Sequence, residues 1–94
     1  MSALYLELVI GHYDEGARWT WRLLRNGQIV SSSGSQLFSR RVDCARGAEV
    51  GTGISGVTEA LAGKGTKAGD VGRAIRRLET VVVRIVDQRG GDDA

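Results

Sequence analysis

His12, with Asp14 and Glu15 close behind it, is the first group of residues in this chain that could move a proton. The group falls in a polar stretch bounded by glycines, GHYDEG at 11–16, which reads as a turn. No nucleophile converges on it in sequence, and turns are polar by default, so it is expected to be structural. Cys44 has Arg41 and Arg46 nearby, cations that would lower a thiol's pKa. Without a histidine partner, a lone thiol reads as inert. The run GAEVGTGISG at 47–56 is rich in glycine but holds no Gly-Lys-Ser/Thr, and its glycines lack the dinucleotide spacing after a strand. Asp70 and Glu79 read as a helix cap and a strand flank. His12 and Cys44 are the sole histidine and cysteine, so neither a metal cluster nor a disulfide is suggested. The expectation is a non-enzymatic protein with no catalytic, cofactor-binding or metal residue.

Charge is the second kind of chemistry. Between Gly16 and Val42 lie five arginines, Arg18, Arg22, Arg25, Arg40 and Arg41, and no acid. Arginine forks suit phosphate, which makes these five the nucleic-acid candidates. Against that stands a formal net charge of only +2, and a GC-rich genome would also favour arginine over lysine.

Both kinds of chemistry depend on the elements that position them. Residues 3–10 alternate, with Leu4, Leu6, Leu8 and Ile10 on one side and Tyr5, Glu7 and Val9 on the other, the period of a half-buried strand. Trp19, Trp21 and Leu23 alternate with Arg18, Thr20, Arg22 and Leu24, and Asn26-Gly27 then signals a two-residue hairpin turn. That turn predicts the pairs Arg25–Gln28, Leu24–Ile29, Leu23–Val30, Arg22–Ser31 and Trp21–Ser32. The side bearing Trp19, Trp21, Leu23, Val30 and Ser32 is bulky and nearly uncharged, so it is the expected core face. The arginines point away from it, leaving Leu24, Ile29 and Val9 on an outer face with unshielded apolar area.

Ser39 is the expected N-cap of a helical region over 40–62. Its apolar stripe, Val50, Ile54, Val57 and Leu61, begins only after Gly47, where the helix is expected to start or bend. Gly47 and Gly53 flank the stripe and would let the helix sit close to the tryptophans; Gly51 and Gly56 have no evident reason. Residues 63–69 read as a loop. Asp70 then caps a short helix over 71–78 with Val71, Ala74, Ile75 and Leu78 inward, and a last strand covers 79–88. In that strand Val81, Val83 and Ile85 share one face and Val82, Arg84 and Val86 the other. With both faces largely apolar it is either central in a sheet or buried in an interface, which makes Val81, Val83 and Ile85 the dimer-interface candidates.

The residues Trp19, Trp21, Leu23, Asn26, Gly27, Ser33, Ser39, Arg40, Gly53, Ile54 and Val57 follow a pattern that resembles the YegP-like family of short domains of unknown function. The resemblance covers 18–57. It departs from the family in a hairpin one residue short, about six extra residues between Ser39 and Gly53, and a C-terminal third with no counterpart. It implies a three-strand sheet with a helix across it, often repeated or dimeric, and no assigned catalytic residue.

The whole reading is an α+β domain over 1–88, with a three-stranded antiparallel meander, a helix or two helices on one face and a C-terminal fourth strand pairing with the first. Residues 89–94 are expected to be a disordered acidic tail. With 94 residues and no disulfide the core is small, and such domains often gain stability by oligomerising. No signal peptide or membrane span is read, so a cytoplasmic location is expected. The leading functional expectation is a homodimeric protein-interaction module of unknown target. Nucleic-acid binding ranks second, beside a small phage-type inhibitor of a host protein.

Overall fold

The structure is a computed structural model that describes residues 3–61 and 71–88. Five strands and two helices follow in the order β1 (Leu4–Tyr13), β2 (Gly16–Arg25), β3 (Gln28–Ser32), α1 (Arg41–Thr52), α2 (Val57–Leu61), β4 (Val71–Ile75) and β5 (Thr80–Asp87). The class is α+β. The strands form one mixed sheet in the order β3-β2-β1-β5-β4. The first three make the expected meander. The last strand lies beside the first, as expected, and runs parallel to it, with Leu4 opposite Val81 and Leu8 opposite Ile85. The expected loop 63–69, the Asp70 cap and the tail 89–94 lie outside the described residues.

Both helices pack on the same side of the sheet. The core between them joins Leu4, Leu6, Leu8, Trp19, Trp21, Leu23, Val81, Val83 and Ile85 from the sheet with Cys44, Ala45, Ala48, Ile54, Val57 and Leu61 from the helical segment. Bulk comes from the strands, while α1 contributes small residues and so approaches closely. Two glycines one helical turn apart set the distance. A Cβ on Gly51 would fall 2.6 Å from Cζ2 of Trp21, and one on Gly47 would fall 2.8 Å from Cζ of Phe38. Gly51, for which the sequence offers no reason, is therefore the residue that lets the helix rest on Trp21.

Four expectations are corrected. The hairpin keeps Arg25–Gln28 and Leu24–Ile29 but then slips by a bulge, so Leu23 faces Ser31 and Arg22 faces Ser32. The slip turns Val30 out of the core, to 57% exposed. Bulges insert one unpaired residue, and turn chemistry alone does not signal them. Ser39 is not the helix cap: Arg40 holds that position and makes no side-chain capping bond. The helical region also breaks after Thr52 instead of bending at Gly47. Gly53 enters the left-handed region at φ 73° and returns its N–H to the Glu49 carbonyl, which strands Val50 outside at 86% exposed.

The last correction is the expected helix over 71–78, which is strand β4 and a turn. Arg76 and Glu79 close that turn with paired backbone bonds of 2.9 and 3.2 Å. A short apolar run fits either period. Packing decides here: a Cβ on Gly72 would lie 2.2 Å from the carbonyl oxygen of Ala60, so α2 rests directly on the β4 backbone.

Candidate functional site: the open face of the sheet

The helices cover one side of the sheet, and among the described residues no element covers the other. Strand pairing sets that open face out in rows, because directly opposed residues share a side. One row crosses four strands as Ile29, Leu24, Tyr5 and Val82. The next reads Ser32, Arg22, Glu7 and Arg84, and a third reads Thr20, Val9 and Val86. A charged row thus runs between two apolar ones. Val9, expected to lie exposed here, is buried among its neighbours.

Glu7 is the centre of the face and, at 5% exposed, the only buried charged residue among those described. Its Oε1 accepts from Nε of Arg22 at 2.6 Å, and its Oε2 accepts from Nε of Arg84 at 3.0 Å and from a terminal nitrogen of the same guanidinium. Burial pushes the carboxyl's pKa up. The bonds and charges of the two arginines outweigh burial, so it lies below the ordinary value. Arg84 also lies over the ring of Tyr5, 4.5 Å from its centroid, and its fork is held from two directions.

The five arginines expected to form one basic surface do not form one. Arg22 serves Glu7. Arg25, on the opposite side at the strand end, bonds both oxygens of Glu79 at 2.9 and 3.2 Å. Arg40 forks onto Asp43 at 3.0 and 3.3 Å, and Arg41 opens α1 beside it in the helical layer. Arg18 shares the open face with Arg22 and bonds the neighbouring Ala17 carbonyl. Acids outside the run thus pair three of the five: Glu7 and Glu79, distant in sequence, and Asp43, three residues from Arg40.

Val81, Val83 and Ile85 are spent in the chain's own core, on a strand between β1 and β4, so they offer no interface. Of the two readings that a doubly apolar strand allowed, the central one holds. Trp19 and Trp21 are buried, as their side of the hairpin implied.

Sequence reasoning passed over Glu7. The available signal was one acid in the outer alternation of the first strand and one arginine, Arg84, in the outer alternation of the last. Once those strands are laid side by side, the two meet.

The other chemical candidates are structural. Nε2 of His12 bonds Oδ1 of Asp87 at 2.9 Å, tying the ends of β1 and β5, and makes no such bond to Asp14 or Glu15. Cys44 is fully buried, and burial pushes its thiol up to about 12, against the lowering its arginine neighbours suggested. No helix among the described residues is long and apolar enough to cross a membrane. No protein-family model, curated protein or solved structure matches the chain.

Proposed function

We propose that this chain is a non-enzymatic protein-interaction module and that the open face of the sheet is its working surface. The observation that carries the reading is the row Ile29–Leu24–Tyr5–Val82, which crosses four strands with nothing described above it. A contiguous apolar patch with polar groups beside it marks an interaction surface. The chemistry elsewhere supports a non-catalytic role: a buried, protonated thiol makes no nucleophile, and the one imidazole is taken up by Asp87. The resemblance of 18–57 to YegP-like domains fits, since that family has no assigned catalytic residue.

The homodimer is not carried into this proposal: Val81, Val83 and Ile85 are in the core, and a second copy would have to meet the open face, where cations outnumber anions on both sides. A small inhibitor that docks on another protein is a further form of the same reading. Nucleic acid ranks below them. Arg18, Arg22, Arg73 and Arg84 share the open face, which favours it, but the buried tryptophans leave bases no stacking platform.

Photo-crosslinking in the source cell tests the proposal. A photoreactive residue at Ile29, on the open face, should form a discrete protease-sensitive adduct. The same residue at Val50, on the outer side of α1, should form none. Adducts from Val50 alone, or nuclease-sensitive adducts from Ile29, would refute it.

A further inference from the structure

We infer that the partner of the open face is a protein segment presenting one carboxylate between two apolar residues, and that this carboxylate seats on the outward ends of Arg22 and Arg84. The inference rests on the proposed role of the open face and names the chemistry that face would select.

Glu7 uses up its own oxygens but not the donors around it. Arg22 reaches it through Nε, so both terminal nitrogens of that guanidinium have no partner among the described residues. Arg84 gives Nε and one terminal nitrogen, which leaves the other. The two side chains are 35% and 42% exposed, so the remaining donors reach solvent. Glu7 fixes both guanidiniums, and Tyr5 fixes one of them a second time. Donors held in place before binding lose less freedom on binding, and a planar fork matches a carboxylate in two-point geometry.

Charge decides among occupants. The strand positions of this face carry Arg18, Arg22, Arg73 and Arg84 against Glu7 alone, four cations to one anion. A second copy laid face to face would set an excess of +3 against an excess of +3, and like charges across an interface oppose association. A partner bearing negative charge is favoured instead.

The rows on either side decide its class. Tyr5, Leu24 and Val82 flank the charged row on one side, and Val86, beside the buried Val9 and Thr20, on the other. Phosphate would suit the guanidiniums but would leave both apolar rows facing sugar and water. A polypeptide covers them. Rows two residues apart along a strand lie roughly 6.5–7 Å apart, and an extended segment repeats that distance between residues i, i+2 and i+4. Apolar, acidic, apolar at alternate positions is the complement.

A labelled peptide of alternating valine and threonine, with glutamate in place of the central valine, is the probe, read by fluorescence anisotropy. Saturable binding that weakens with salt is expected, about tenfold or more tighter than for the same peptide with glutamine. Arg22→Lys and Arg84→Lys each keep a cation beside Glu7, and so the fold, but give up the spare donors. Each should weaken binding about tenfold, while Arg40→Gln should not.

Several results would overturn the inference: equal binding of the glutamine peptide, unaltered binding by the two lysine variants, or no saturable binding up to about 1 mM. So would a thymidine oligomer that binds more tightly than the peptide, or a dimer in sedimentation that excludes the peptide. Crosslinking from position 29 without glutamate-dependent peptide binding would refute this inference and leave the interaction module standing.

Discussion

The two faces of this sheet are built from the same strands, and both carry apolar rows, yet among the described residues only one is buried under helices. On the covered face, Trp21, Leu23, Leu6 and Val83 meet a helix stripped down to glycine, alanine and cysteine. On the open face, the residues between them line up as Leu24, Tyr5 and Val82 with a charged row beside them. Alternation alone assigns residues to sides; what the chain sets against each side decides which is core. Among the described residues nothing covers the open face, and a buried ion-pair triad lies at its centre, which is why we propose it as the surface for a partner.

The contrast is broken most severely from the covered side. Trp21→Ala should cost about 3–5 kcal/mol, as large aromatic truncations do, enough to unfold a domain this small in a urea titration. Gly51→Ala should cost about 1–3 kcal/mol despite alanine's better helix propensity, because the new methyl meets a buried indole 2.6 Å away. Gly47→Ala should cost less, since Phe38 is only partly buried and can turn aside. Equal losses at the two glycines would refute the view that Trp21 sets the helix distance.

The triad comes next. Glu7→Gln should cost about 1–3 kcal/mol, a loss limited by the partial exposure of both arginines. Its signature is the pH dependence. The carboxyl's folded pKa lies below its ordinary value of 4.5, so its contribution is fully present above that value and is lost as pH falls through the folded pKa. Unfolding curves taken on the acid side should show wild type losing this share of stability. The glutamine variant should lack that part of the slope, and parallel pH profiles would contradict the triad's role. A smaller effect concerns Cys44: a thiol reagent should leave the folded protein unmodified and titrate one thiol after denaturation.

The sequence made legible what depends on local alternation. Four of the five strands and the tryptophan side of the hairpin follow from period two and the Asn-Gly turn, whereas the pairing of the last strand with the first has no local signal. What it hid depends on neighbours distant in the chain. Residues 71–75 fit either period, and only the contact of Gly72 with Ala60 distinguishes strand from helix. The bulge at Val30 leaves no mark in turn chemistry. The arginines looked unopposed because Glu7, Glu79 and Asp43 all lie outside the acid-free run or reach it only through the fold. For the same reason the site itself, Arg22–Glu7–Arg84, was scattered over three strands and invisible as a motif.

We propose that the open face is surplus to folding and kept for a partner. Urea unfolding of an Ile29→Ser, Ile75→Ser double variant, beside wild type at several protein concentrations, tests it most directly, because both residues lie on that face and are exposed. The expected result is a loss below about 1 kcal/mol and a wild-type midpoint that does not move with concentration. A loss of several kcal/mol, with a midpoint that rises with concentration, would contradict it, because the face would then be the core of an obligate dimer.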